Sequence, residues 1–345
     1  MGNVILFALE QAIERLPAYE PKRAETEQTL RNLRAGAAGE RKVAEAIQSV
    51  AWPAHAVLLR NISLSLFGGS RFQMDLAFLS NSGILLLECK QIGGRLRFHS
   101  GPAELRKVDE EGRTLAVYDC PVAQMQDQRQ NLLQWLTMAG FRSPVYGVVV
   151  FANNPIIEEI KSGMPVFKLR ETRNLIRHHI GQQPMINDRE LNQIADAMIS
   201  HYIPYLPFPL KIKDFIITPI CFDCSSSLKR HSERSWKCIR CGHIEYKPYI
   251  LTLLAWFLLL RNTITSAEIM KLFGLKTHKA ARSVAEGLPL KKVGAGKASA
   301  YAADYKKLVS TSIVLDAVQT WLEHNRQTKD QYGSLKDHQP AAKDH

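Results

Sequence analysis

The stretch Phe72-Gln73-Met74-Asp75-Leu76-Ala77-Phe78-Leu79-Ser80-Asn81-Ser82-Gly83-Ile84-Leu85-Leu86-Leu87-Glu88-Cys89-Lys90-Gln91 constrains the fold more than any other part of the chain. Two apolar runs of strand length flank the turn cluster Ser80-Asn81-Ser82-Gly83, the pattern of a β-hairpin. With the turn centred between Asn81 and Ser82, Ser80 faces Gly83, and stepping outward sets Asp75 opposite Glu88. Side chains directly opposite lie about 5 Å apart, and like charges there are destabilising, so this register predicts a cation between the two acids. A hard divalent metal is the simplest such cation.

Glu88 and Lys90 are two residues apart, so strand alternation puts both on one face and Cys89 on the other. Asp75, Glu88 and Lys90 then converge at one strand edge. Carboxylates so placed can hold Mg²⁺ or Mn²⁺ beside a phosphate while the ammonium orients or deprotonates the attacking water, the chemistry of phosphodiester hydrolysis. The plainer alternative is a Glu and a Lys at a strand end with Asp75 capping a turn. The apolar approach Ile84-Leu85-Leu86-Leu87 argues against it, because ordinary exposed charges do not follow a run that buried.

Gly36-Ala37-Ala38-Gly39-Glu40 precedes the hairpin, and Cys120-Pro121-Val122-Ala123-Gln124 follows it. The order Gly-x-x-Gly-Glu, Gln-x-Asp, Glu-x-Lys and Pro-x-x-Gln resembles the NERD (nuclease-related) domain, a family similar to the PD-(D/E)xK restriction-endonuclease-like enzymes. The resemblance covers residues 34–152 and implies Glu40, Asp75, Glu88 and Lys90 as the active-site set, with Gln124 as an accessory. Cys89 and Cys120 depart from it, standing where Thr and Asn are expected. Apart from the resemblance, Glu40 also reads as an acidic first-turn residue favoured by the helix dipole.

Taken in order, the chain predicts an N-terminal helical arm over residues 1–33, interrupted at Pro17 and Pro21 and packed on the domain behind it. Residues 34–203 predict an α/β domain. Its core order is helix, three strands, helix, strand, with Gln124, Gln128 and Gln134 along the second helix and an extra hairpin within 93–119. Helical stretches near 172–180 and 188–201 close the domain, and the proline-rich linker Ile203-Pro204-Tyr205-Leu206-Pro207-Phe208-Pro209 ends it.

Beyond the linker, Cys221-Phe222-Asp223-Cys224 and Cys238-Ile239-Arg240-Cys241 are separated by thirteen residues. Such pairs present four thiolates to one tetrahedral ion, a closed set that implies structural Zn²⁺ in a zinc ribbon over 204–249. Disulfides are the alternative, disfavoured in a chain that shows no export signal. The intervening loop carries Lys229, Arg230, Arg234 and Lys237 around Trp236, which reads either as a base-stacking aromatic or as packing beside the metal.

Residues 250–324 resemble a winged helix-turn-helix: Thr265-Ser266-Ala267-Glu268 is a capping box, Gly274 stops the first helix, and the second bears Lys279 and Arg282 behind Lys276. Lys291, Lys292 and Lys297 lie in a basic hairpin wing, and residues 325–345 read as a disordered polar tail.

Charge agrees with this division. Residues 1–204 hold 23 Lys/Arg against 21 Asp/Glu, 205–310 hold 18 against 7, and 311–345 hold 4 against 5, so the net +12 lies almost wholly in one block. That block is the footprint of a polyanion binder, with nucleic acid, DNA in the first instance, as the expected partner. The apolar run Tyr249 to Leu260 is shorter than the ~20 residues that span a bilayer, so no membrane partner and a cytoplasmic location are expected. Together these features predict a metal-dependent nuclease targeted by C-terminal modules; the alternative is a non-catalytic nucleic-acid-binding or scaffolding protein with an inactive core.

Overall fold

The structure, a computed structural model, describes residues 2–17, 20–158, 165–203, 209–210, 217–296 and 299–336. Its contacts divide the chain into two compact units, Asn32–Tyr205 and Met1–Arg31 with Leu206–His345. Helix α1 spans Gly2–Arg15 and α2 spans Pro21–Gln48. Pro21 opens α2, where its missing N–H leaves no bond unmade. The helix continues through Gly36 and Gly39, so the predicted arm and the predicted first core helix are joined in one element, and the division between units falls inside it.

In the unit Asn32–Tyr205 the strands β1 (Val57–Ser65), β2 (Arg71–Ser80) and β3 (Gly83–Lys90) are followed by β4 (Arg95–Ser100), β5 (Ala103–Val108) and β6 (Thr114–Asp119). Helix α3 (Pro121–Met138), strands β7 (Val145–Phe151), β8 (Ile156–Glu158) and β9 (Val166–Lys168), and helices α4 (Thr172–Ile180) and α5 (Asp188–Ser200) complete it. The main sheet has the order β1-β2-β3-β7-β9, antiparallel among the first three and parallel from β3 onward.

Both faces of that sheet are covered. Val43, Ala44 and Ile47 of α2 and Ile176 of α4 pack with Leu76, Phe78, Leu85 and Leu87. On the other face Leu132, Trp135 and Leu136 of α3 and Leu191, Ile194 and Met198 of α5 pack with Ala77, Leu79, Ile84 and Leu86. Burial on both faces is why β2 and β3 read as nearly continuous apolar runs.

The hairpin has the expected register, from Ser80 opposite Gly83 to Leu76 opposite Leu87. The extra hairpin is instead a sheet of its own, ordered β6-β5-β4-β8. β4 continues β3 and β8 continues β7, and the two continuations pair in parallel as their parents do, which recruits β8 as a fourth strand. Its inner face, Leu96, Phe98 and Leu105, packs on Val122 and Met125 of α3 and on Val149 and Phe151.

In the other unit, β10 (Leu228–Arg230), β11 (Ser235–Cys238) and β12 (Ile244–Tyr246) form one small antiparallel sheet. Then come α6 (Tyr249–Leu259), β13 (Thr263–Thr265), α7 (Ser266–Phe273), α8 (His278–Glu286), β14 (Leu290–Val293), β15 (Ala300–Ala303), α9 (Tyr305–Leu308) and α10 (Ser312–Lys336). β13 joins the hairpin through β15, giving the order β13-β15-β14. Thr265 caps α7 reciprocally with Glu268, and Gly274 ends it in the left-handed region at φ 62°.

Helix α1 packs within its own unit. Val4, Phe7, Ala8 and Ala12 of α1 enter the core of α6 and α10, with Phe7 edge-on to Trp321 at 5.2 Å. Trp236, Cys221 and Cys238 of the cysteine module belong to that same core, which also takes in Phe257, Phe273 and Val318. Modules of a few tens of residues bury too little apolar surface to stand alone, and sharing one core removes that deficit. α10 carries helix through Lys336, into the stretch read as an unstructured tail; residues 337–345 lie outside the described residues. Among the described residues no helix is long and apolar enough to cross a membrane.

Close packing of α3 on β7 depends on Gly147, where an added Cβ would stand 2.0 Å from Met125 Sδ. Gly147→Ala is expected to cost about 1–3 kcal/mol through overpacking, lowering the thermal midpoint by roughly 2–10 °C. A calorimetric melt checks it.

Candidate functional site

The β2–β3 ladder ends at Leu76–Leu87, and the next pair is Asp75 and Glu88. Here side chains replace backbone pairing: the Cys89 N–H donates to Asp75 Oδ2 at 2.9 Å. Glu88 is 1% exposed. One of its oxygens meets Lys90 Nζ at 2.6 Å, and the other accepts from Gln128 Nε2 at 2.7 Å. Lys90 Nζ also donates to Gln124 Oε1 at 2.9 Å. Four of the five residues expected at this edge, Asp75, Glu88, Lys90 and Gln124, are therefore linked by direct contacts or adjacent strand positions.

Glu40 arrives from the opposite layer, on α2. A Cβ at Gly39 would lie 3.0 Å from Gln91 Cβ and Oε1 and 3.4 Å from Ala152 Cβ, so glycine there lets the helix approach the ends of β3 and β7. Glu40 Oε2 accepts from Asn61 Nδ2 at 2.8 Å, and Asn61 Oδ1 accepts from Gln73 Nε2 at 3.2 Å.

Electrostatics joins the three acids. Burial first, and then the charge of Glu88, push the Asp75 carboxyl up to about 7, against the opposing Cys89 N–H; Glu40 adds a further upward push. Glu40 is itself raised, by burial above all, with the Asn61 hydrogen bond and Arg60 opposing and Glu88 assisting. Burial, followed by these acids, also holds the Cys89 thiol well above its usual value.

Sequence reasoning missed two participants. Gln128 follows Gln124 by one helical turn, so the i,i+4 spacing was the available signal. Asn61, a polar residue in mid-strand, announced itself only by being out of place.

Residues 35–152 match the family model of the nuclease-related domain, NERD. No curated protein and no solved structure matches the chain. The NERD match lies within the unit Asn32–Tyr205 and includes Glu40, Asp75, Glu88, Lys90 and Gln124 together with Asn61 and Gln128. It supports a nuclease-related character for that unit.

Among the described residues, one group of three or more His, Cys, Asp or Glu side chains brings its ligand atoms mutually within 4.8 Å: Cys221, Cys224, Cys238 and Cys241. Among the described residues the acids of the unit Asn32–Tyr205 form no such group; Lys90 and Gln128 engage Glu88, and Asn61 engages Glu40. Cysteine sulfurs stand 3.5–3.6 Å apart, far beyond a disulfide bond and close to the ~3.8 Å edge of a tetrahedron with 2.3 Å metal–sulfur bonds. Cys238 Sγ accepts the N–H groups of Arg240 and Cys241. Although burial would raise its thiol, these bonds and the neighbouring thiols outweigh it and bring Cys238 down to about 6. The set can hold a metal such as zinc.

Of the basic residues expected to meet nucleic acid, Lys229, Arg234, Lys237, Lys276, Lys279, Arg282, Lys291 and Lys292 are exposed. Lys297 lies outside the described residues. Arg230 is committed within the fold: it donates to the Phe273 and Glu233 carbonyls and stacks over Trp236 at 5.1 Å. Trp236 is 1% exposed and packs edge-on against Tyr249, which leaves its ring no face for a base.

Two outcomes follow from this geometry. The folded state keeps a proton on Asp75 that the unfolded chain releases near pH 4, so Asp75 favours folding less as pH rises from about 4 through about 7. Melts of metal-free protein from about pH 5 to about pH 8 should show the midpoint of the wild type dropping on the order of 5 °C relative to Asp75→Asn, whose amide oxygen still accepts from Cys89. Separately, a zinc chelator or Cys224→Ser should lower the midpoint of the unit containing α6–α10, with zinc readdition restoring only the former.

Proposed function

We propose that the unit Asn32–Tyr205 is a metal-dependent nuclease with a PD-(D/E)xK restriction-endonuclease-like core, hydrolysing phosphodiester bonds with Mg²⁺ or Mn²⁺. One observation carries the proposal: half-buried Asp75 and buried Glu88 stand together where β2 and β3 stop pairing, beside Lys90, with an Asp75 carboxyl that burial and Glu88 push up to about 7. A site so short of positive charge fits a hard divalent cation. Asp75 and Glu88 would hold the metal, and Glu40 would add a ligand or align a water. The bound metal would supply Lewis acidity and a more acidic water. Lys90 would orient that water and offset charge on the phosphate, Gln124 would hold the ammonium, and Gln128 would fix Glu88.

We further propose that the cysteine module is a zinc ribbon, that α6–β15 is a winged helix-turn-helix, and that both bind DNA. The sequence helix, strand, two helices and hairpin supports the second assignment, as do exposed Lys276, Lys279 and Arg282 at and along α8. In the cysteine module, exposed Lys229 and Lys237 face each other directly across β10 and β11. Like charges so placed repel, and a phosphate between them relieves the repulsion.

A second reading has its own support. Both Glu88 oxygens are already engaged, by Lys90 and Gln128, which suits a binding protein whose core acids are internally satisfied.

Cleavage of supercoiled plasmid and single-stranded DNA with Mg²⁺ or Mn²⁺ separates the two. The nuclease reading expects metal-dependent cutting that falls on the order of 100-fold or more in Glu88→Ala and Lys90→Ala. Lys279→Ala with Arg282→Ala should weaken binding and flatten its salt dependence by about two phosphate contacts. Binding without cutting by every form would favour the inactive core.

A further inference from the structure

Asn61 is the one non-glycine residue within a strand, among the described residues, whose φ lies in the left-handed region, at 52°. Ser225 and Lys247, the other two non-glycines with positive φ, lie outside strands. Asparagine tolerates this conformation better than most residues, but mid-strand it interrupts the pleat. The ladder shows the interruption: Arg60 pairs with Leu76 and Ile62 with Met74, while Asn61 and Asp75, which would face each other between them, are absent from it.

Alternation slips on both strands at that point. Leu59 and Ile62, three residues apart, enter the same core, and so do Met74 and Ala77. Strict alternation from Leu79 and Ala77 would send Asp75 into that apolar core and turn Met74 away from it. With the slip, Met74 keeps the core and the Asp75 carboxylate is free to lie along the sheet, where it takes the Cys89 N–H. Asn61 also reaches the other layer, since its amide donates to Glu40 Oε2 at 2.8 Å. Gln73 Nε2 occupies the amide oxygen at 3.2 Å, which orients Asn61 so that its NH₂ end faces Glu40.

We propose that Asn61 is the positioning residue of this acid cluster: its left-handed backbone releases Asp75 from the pleat, and its amide fixes Glu40 from the α2 layer. The contribution to metal binding and cleavage rests on the nuclease reading above; the positioning itself does not. Asn61 touches neither substrate nor metal in this role. It acts through Glu40 and Asp75.

Backbone and amide roles separate by substitution. Asn61→Gly retains access to the left-handed region and loses the amide, whereas Asn61→Ala loses both. The thermal midpoint of the full-length chain should fall less in the glycine variant than in the alanine variant, since both lose the amide and only alanine loses the left-handed backbone; equal midpoints would overturn the backbone role. For the amide, the Asn61 side-chain NH₂ resonances should shift in Glu40→Gln and stay in place in Glu45→Gln, with no metal present. Resonances indifferent to Glu40→Gln would overturn the contact.

Mn²⁺ titration followed by the shift in midpoint should show about tenfold weaker binding in Asn61→Gly. Cleavage by that variant should lose kcat with KM for DNA unchanged. Wild-type affinity and kcat in Asn61→Gly would overturn the consequence for catalysis. A wild type that neither takes up Mn²⁺ nor cleaves would instead overturn the nuclease reading, and the midpoints and resonances would still decide the positioning role.

Discussion

Two carboxylates held side by side, one buried and one half-buried, are the condition around which the unit Asn32–Tyr205 is arranged. Asp75 and Glu88 stand at the last step of a hairpin that is apolar up to that point, which leaves Glu88 buried and Asp75 half-buried. Their neighbours supply what water would have supplied: the Cys89 N–H for Asp75, and the Lys90 ammonium and the Gln128 amide for Glu88. Even so, compensation is incomplete, since burial and Glu88 still push the Asp75 carboxyl up to about 7. Buried charge without full pairing is expensive, and its persistence at one edge of a sheet points to function more than to stability.

The supporting architecture follows from bringing groups to that edge from both layers. α3 contributes Gln124 and Gln128 from one face and α2 contributes Glu40 from the other, which Gly39 permits by letting the helix lie close to β3 and β7. Beyond the edge, β3 and β7 continue as β4 and β8 into a second sheet, so the site stands at the junction of two sheets. In the unit that holds α6–α10, the organising element is different. Four cysteines form a compact sulfur cluster, and Trp236 carries that module into the core of α1, α6 and α10. Arg230, which reads in sequence as one more surface cation, ties the module to the carbonyl end of α7.

Much of this was legible in the chain. A turn cluster between two apolar runs sets the hairpin register, because one residue of slippage would expose every core side chain, and that register sets Asp75 against Glu88. The Cys-x-x-Cys pairs announce a sulfur cluster through spacing alone. Capping chemistry at Thr265 and Gly274 marks the bounds of α7 for the same local reason. What escaped notice was non-local. Gln128 looks like any polar residue on a helix until α3 is laid on β3, and Trp236 could be a stacking platform until its neighbours enclose it.

By itself, then, the sequence determined the central hairpin and its register, which acids share its strand edge, and which cysteines can meet, since each follows from periodicity or spacing within a short window. Tertiary structure alone decided that the N-terminal helix joins the core of α6 and α10, that β8 extends the inserted sheet, and that Arg230 serves the fold. It also decided that Asn61 breaks the pleat between Glu40 and Asp75. These are choices among partners distant in the chain, made by apolar surfaces that many arrangements could cover, and only the packed whole selects one.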